Sequence, residues 1–412
     1  MESLEPLNAA DVAWMLMASS MVLFMTPGLA FFYGGMVSAK NVISTMLQCF
    51  IALGLVSVLW IVVGFSLSFG DSIGGMVGNP LTFFMLQNVS DATDARLSPT
   101  IPLLLFALFQ LKFAIITPAL ICGAFAERVR FAAYLLFVTL FTLVIYAPLA
   151  HWTWHPQGFL RQWGVLDFAG GTVVHMSAGL AALAGAYVLG RRQSHVAGET
   201  HVPAHIPFII LGTGMLWFGW FGFNAGSALA ANGTAVLAFA TTNTASAAAM
   251  MAWVGFESMR GLKPSAMGAC IGAVVGLVAI TPAAGFVSVS ASIAIGVIAA
   301  AASNVALHWK SQSTIDDTLD VFPCHGVGGM AGMVLTAVFA KDGGLITTGD
   351  PKLLFTHLSA LVLVSVFTFG GSWLLYKLVD LITPLRVDEQ HEQLGLDLSQ
   401  HGENYGFFDA AL

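Results

Sequence analysis

Two histidines stand in apolar surroundings that have no ordinary use for a polar ring: His175 in "DFAGGTVVHMSAG" (167–179) and His325 in "DVFPCHGVGG" (320–329). A neutral imidazole donates a hydrogen bond at one nitrogen and accepts at the other. A single such ring inside a membrane segment serves equally well as a hydrogen-bonded staple between helices. A pair at matching positions reads instead as a pathway, because intramembrane ionisable groups are costly and mark function by default. In contact, the two rings would line a narrow path with both hydrogen-bond senses and no net charge, which suits a small neutral polar molecule. The other nine histidines, among them His151, His155 and His357, are expected in loops or at helix ends.

The second chemical feature is aromatic. Phe113, Trp217, Phe218, Trp220, Phe221 and Phe223 crowd two apolar stretches, and Trp152 and Trp154 follow another. A ring face attracts a small cation through its quadrupole, whereas tryptophans near a membrane surface are commonly interfacial belt residues. On composition, Trp152 reads as belt and Phe218 as core. Asp167 stands directly before an apolar run, the position of a helix N-cap, and equally that of a carboxylate stabilising a cation at the mouth. Asp320 reads as its counterpart before the run that holds His325.

These residues need elements to hold them. The chain has 412 residues, 57% hydrophobic and 9% charged, where a soluble domain carries about a quarter charged. It therefore belongs in a lipid bilayer. Spans of roughly 20 apolar residues are expected at 11–33, 44–69, 101–125, 131–151, 168–190, 206–230, 234–258, 264–283, 286–308, 321–340 and 353–381. Lys and Arg decide the orientation. With the N-terminus outside, Lys40, Arg128, Arg130, Arg191, Arg192, Arg260, Lys263, Lys310, Lys377 and Arg386 fall inside; only Arg96, Arg161, Lys341 and Lys352 fall outside. Lys112 lies in the third span. Residues 112 and 113 are about 100° apart on a helix, so Lys112 should face away from the Phe113 ring or snorkel to an interface.

"ITPA" occurs at 116–119 and again at 280–283, "FFYGGMVS" in the first span resembles "FGFNAGSA" in the sixth, and "HMSAGLAAL" in the fifth resembles "HGVGGMAGM" in the tenth. Five helices separate each pair, so the two copies cross the membrane in opposite directions, an inverted repeat with its site between the halves. The fold class is thus all-α integral membrane: eleven transmembrane helices, an inverted five-helix repeat (1–5 and 6–10) plus helix 11, N-out and C-in.

The formal charge is −7, and no basic run exists that would hold a nucleic acid. Cys49, Cys122, Cys270 and Cys324 read as buried free thiols. The acidic N-terminus lacks the positive region of a secretory signal, so the first apolar stretch is expected to be kept. Residues 386–412 form a polar, acidic cytoplasmic tail after a membrane domain at 1–385; taken alone, such a tail reads as a disordered end.

"FQLKFAIITPALICGAFAERVRF", "DFAGGTVVHMSAG", "GWFGFNAGSA", "DVFPCHGVGG" and "GLDLSQHGENYGF" strongly resemble the ammonium transporter (Amt/Mep/Rh) family, bacterial Amt type, in order and nearly end to end. The resemblance implies a multi-pass protein of the cell (inner) membrane, a homotrimer with one pore per subunit, no enzyme activity and no cofactor or metal. It implies ammonium or ammonia as substrate. Trp154, Phe113 and Ser227 would bind it in an outer vestibule near Asp167. Phe113 and Phe223 would form a gate, His175 and His325 would line the pore, and Gln110 and Trp220 would stand beside it. The tail would contact a PII-type nitrogen signal protein. Alternatives are an ammonium sensor on the same fold, a gas channel of the Rh type, and a membrane cytochrome with paired histidines on haem.

Overall fold

The computed structural model describes residues 7–406; the first six and last six residues, including the end of the "GLDLSQHGENYGF" motif, lie outside the described residues. Among the described residues, ten helices are long and apolar enough to span a bilayer: α1 (Ala9–Met36), α2 (Ala39–Phe69), α3 (Leu103–Ala124), α4 (Phe131–Gln162, interrupted by a turn after Trp154), α5 (Gly171–Leu189), α6 (Ile206–Gly226), α7 (Gly233–Met259), α9 (Val289–Ser311), α10 (Phe322–Phe339) and α11 (Lys352–Ile382). The eighth expected span, α8 (Ala266–Ile280), has 15 helical residues, about 22 Å at 1.5 Å per residue. Buried turns from Thr281 to Ala284 extend it toward the roughly 30 Å hydrocarbon thickness. The expected eleven-helix architecture therefore holds, with one short member. Two short antiparallel hairpins, Ser72–Ile73 with Val77–Gly78 and Thr93–Asp94 with Ser98–Pro102, fold over the outer end of the α2–α3 connection.

Repeat-related helices meet in pairs. α1 packs along most of α6, and small residues allow it: a Cβ on Gly212 would stand 2.3 Å from the Phe32 backbone nitrogen. α5 meets α10 more sharply still. A Cβ on Gly179 would lie 2.2 Å from the Gly326 nitrogen, so only glycine lets the two backbones touch there. Close approach through glycine is how membrane helices pack without a hydrophobic drive between them. Gly326 follows His325 directly, so this contact sets the distance between the two histidine-bearing segments.

Both α5 and α10 open with a π-helical turn, Gly171–Met176 and Phe322–Val327. Such wider turns recur at functional sites, and here each carries a histidine.

Several sequence expectations change. Trp152 is buried, not interfacial, and its indole donates to the Met76 carbonyl at 2.6 Å. Phe218 faces outward on α6, half exposed and edge-on to Phe24, because the apolar run of α6 covers all sides of the helix while only one side faces α1 and the core. His151 and His357 are wholly buried, on α4 and α11. The tail is ordered through residue 406, with helices α12 (Glu389–Leu394) and α13 (Leu396–His401) lying on the inner face. Its polar groups find partners at the start of α2 and on the α5–α6 loop rather than in an apolar core.

Candidate functional site

The outer end of the protein holds a cavity of about 340 Å³ whose lining includes Gln110, Phe113, Trp154, Asp167, Ser227, Arg96 and Arg161. Ring geometry organises its floor. Trp154 stands edge-on to Phe113 with centroids 5.7 Å apart, and Phe113 stacks on Phe223 at 4.1 Å. The two phenylalanines fill the section beneath the cavity, both essentially inaccessible. Lys112, half-buried, does not line the cavity.

Three polar groups converge on this floor. The Ser227 hydroxyl donates to the Phe223 carbonyl at 2.8 Å. Its one proton is thereby used, and its lone pairs stay free to accept. Gln110 Oε1 is buried without a hydrogen-bond partner. Trp154 Nε1 donates to the Asp167 carbonyl at 3.2 Å, fixing the ring.

The Asp167 side chain has a different task. Its carboxylate accepts from the backbone N–H groups of Gly170, Gly171 and Thr172 at 2.8, 2.6 and 2.7 Å, and from the Thr172 hydroxyl. It stands four residues before α5 and caps it from a distance, holding the π-helical turn that carries His175. The loop ahead of it is tied down by His357: the Leu166 N–H donates to Nε2 at 3.0 Å, so Nδ1 must carry the proton that it gives to the Met333 carbonyl at 2.8 Å. That assignment makes His357 a neutral spacer between the α4–α5 loop, α10 and α11. Nothing in the sequence marked it beyond its type.

Below the phenylalanines, His175 stacks on Trp220 at 5.3 Å, and Trp220 is held by its indole bond to Thr281 at 2.9 Å. His175 Nδ1 and His325 Nδ1 lie 3.3 Å apart. One nitrogen donates and the other accepts, so the two rings are opposite tautomers. Their outer Nε2 atoms then differ as well: one carries a proton and the other a lone pair. His175 Nε2 is buried with no partner. Beyond His325 a cavity of about 10 Å³, lined by Phe32, Tyr33, Leu319, Cys324 and His325 among others, is just large enough for one molecule of water's size.

On α10 the cap is not Asp320. Asp317 accepts from the N–H groups of Val321 and Phe322 at 3.1 and 2.7 Å, while Asp320 turns to Lys310. The spacing could have revealed this: Asp167 precedes His175 by eight residues, and Asp317 precedes His325 by eight. Burial pushes the Asp317 carboxyl up to about 6, with Asp320 adding to burial and Lys310 opposing it.

Around it lies a buried ionic network. Arg192 bridges Glu127 at 2.7 Å and Asp316 at 2.9 Å. Arg128, fully buried, donates to the Asp316 and Ala124 carbonyls. Burial would raise the Asp316 carboxyl, but Arg128 and Arg192 hold it well below the usual carboxylate range. Burial brings Arg128 down to about 10.

The described residues hold no cluster of three or more His, Cys, Asp or Glu side chains fit for a metal ion, and all four cysteines are free thiols. Both Nδ1 atoms of the central pair are turned on each other, and neither faces the other across a gap wide enough for a haem iron, which takes its two axial histidines from opposite sides.

Fold and site together define a multi-pass membrane protein with aromatic rings and paired imidazoles aligned between an outer and an inner cavity. Residues 13–405 match the Ammonium Transporter Family. The chain is 44% identical to the ammonium transporter of Bacillus subtilis, over 96% of its length and 98% of the relative's. It is 40% identical to ammonium transporter Amt1 of Archaeoglobus fulgidus, over 96% and 99%. Among solved structures, Mep2 of Saccharomyces cerevisiae superposes with a TM-score of 0.89 at 33% identity, covering 98% of this chain and 93% of that one. A structure titled sensor Amt protein superposes at 0.88 with 29% identity, covering 95% and 98%. The chain belongs to the ammonium transporter family.

Proposed function

We propose that the protein carries ammonium across the cytoplasmic membrane, taking it up as the cation and passing it as ammonia. The observation that carries this reading is the alignment of the Phe113–Phe223 stack above two imidazoles of opposite tautomer, with His175 Nε2 buried and unpartnered. Ammonium at the vestibule floor meets the ring faces of Trp154 and Phe113, an attraction of about 0.5–2 kcal/mol, together with free acceptors on Ser227 and Gln110. It cannot keep its charge beyond the rings, since stripping an ion of water costs roughly several kcal/mol or more. NH₄⁺ therefore releases H⁺ at the floor of the vestibule. NH₃, a donor and an acceptor at once, passes the gate of Phe113 and Phe223 and the complementary Nε2 atoms below. The proton crosses separately, so net charge moves.

The working unit is a homotrimer with one pore per subunit, and a PII-type signal protein docks on the inner face where the tail, a separate regulatory unit from residue 386 onward, lies against the loops. No enzymatic step and no cofactor enter this scheme. Ammonium-evoked current on proteoliposomes tests it. A sustained current saturating with ammonium is expected; uptake without current would remove the separate proton. Binding with no flux at all would favour a sensor, the second reading, which the likeness to the sensor Amt structure supports.

A further inference from the structure

The segment after Trp154 reads "HPQGFLRQWG" and ends α4 with one short helical turn, Phe159–Gln162. That turn places Arg161 on the wall of the outer cavity, beside Trp154, Asp167 and Ser227. Its Nη1 donates to the Trp154 carbonyl at 3.5 Å. Among the described residues it has no carboxylate within ion-pair distance. The other cation on the wall, Arg96, is partly offset by Asp71 at 3.8 Å. Asp167 on the same wall keeps its negative charge, since the N–H groups of α5 satisfy its oxygens without neutralising them, but it lies beyond ion-pair distance of Arg161. A cavity meant to collect a cation thus carries on its rim a guanidinium with no ion-pair partner among the described residues.

We propose that Arg161 is a specificity-determining residue that works by charge: it lowers the occupancy of the outer site by cations, and lowers it more steeply for divalent than for monovalent ones. The inference rests on the reading of this cavity as the ammonium recruitment site. A 340 Å³ cavity is about 9 Å across if round. A unit charge at that range, through a largely aqueous medium, changes the occupancy of a monovalent cation about two- to fourfold. For a divalent cation the factor is squared, about four- to sixteenfold. Ring faces attract any small cation, so they discriminate poorly by valence; a fixed positive charge supplies that discrimination. Because the rim is open to solvent, added salt screens the effect.

The test compares wild-type protein with Arg161→Lys, Arg161→Gln and Arg161→Glu in proteoliposomes, reading the half-saturating ammonium concentration at about 10 mM and 500 mM ionic strength. The order expected at low salt follows charge: Lys equal to wild type, Gln about two- to fourfold lower, Glu lower again. The differences should collapse at high salt, and Mg²⁺ should inhibit the Glu variant most strongly. A Lys variant that shifts as far as Gln would show that the residue acts by positioning Trp154, and would overturn the proposal. So would equal half-saturation in all four proteins at low salt. A wild-type protein with no ammonium-dependent signal would instead remove the functional reading beneath it.

Discussion

His175 and Asp167 illustrate how differently two buried polar residues eight positions apart are employed. His175 keeps Nε2 without a hydrogen-bond partner, whereas Asp167 spends both oxygens on the backbone of α5. His175→Ala removes one of two central polar groups without disturbing a cap, so ammonium flux should fall to background while the folded protein is retained. Flux assays paired with size-exclusion profiles check this, and wild-type uptake by a folded variant would contradict a pathway past this imidazole. At Asp167 the comparison is between side chains. Asp167→Asn keeps an acceptor for the N–H groups but loses the charge; Asp167→Ala loses the cap, at a cost of about 1 kcal/mol or more. Ala should lower both the thermal midpoint and transport. Asn should restore most of the midpoint; full recovery of transport as well would leave the carboxylate with a structural role only.

At the scale of elements, α5 and α10 are built alike: a buried aspartate, a π-helical turn, a histidine eight residues after the aspartate, and glycines where the two helices touch. The two caps differ in setting. Asp167 lines the outer cavity, while Asp317 is sealed among Lys310, Asp320 and Asp316 at the inner end. An isolated aspartate titrates at 3.8, and Asp317 holds its proton up to about 6. Between these values the unfolded chain releases a proton that the folded one keeps. The contribution of Asp317 is therefore fully present below pH 3.8 and is lost as pH rises through about 6, a loss of about 2–3 kcal/mol at most. Thermal unfolding in detergent between pH 4 and 7 should show this decline superimposed on the rest of the titration. Asp317→Asn, which can still accept from an α10 N–H, should flatten it. An unchanged slope in that variant would assign the decline to other groups.

Across the whole molecule, the tail ties the first helices to the last. Asp397 on α13 accepts from the Ile43 and Ser44 N–H groups at 3.0 and 2.7 Å, capping α2 from the far end of the chain. Leu396 N–H donates to Asn41 Oδ1, and the Glu392 carboxylate receives both Gln193 N–H and the Arg386 guanidinium. Gly395 sits at φ +97°, and a Cβ there would stand 2.5 Å from the Lys40 carbonyl, so this turn admits glycine alone. Truncation after Leu385 should leave α11 intact, since it ends at Ile382. It should nonetheless lower the thermal midpoint, because α2 loses a cap worth about 1 kcal/mol. Asp397→Ala should reproduce that part of the effect. If the docked tail also forms the PII-type surface, a pull-down should lose binding on truncation; equal binding by both proteins would place that surface on the loops.

Hydropathy was enough to determine a bilayer protein with eleven apolar segments, because each span must satisfy its backbone internally and so announces itself over about 20 residues. Three short matches in register were enough to expect an inverted repeat, and His175 and His325 stood out because no Asp, Glu, Lys, Arg or other His stands in their spans. The local sequence could not decide direction. Phe218 on α6 and Trp152 on α4 exchange the places their composition suggests, because in an apolar run only packing chooses which side is buried. Asp320 was the nearest acid to α10, yet Asp317 takes the cap because a positive φ at Asp320 turns the chain there and its side chain meets Lys310. His357 and the tail acquire their partners from segments 191 to 354 residues away, and contacts at that separation exist only once the helices have packed.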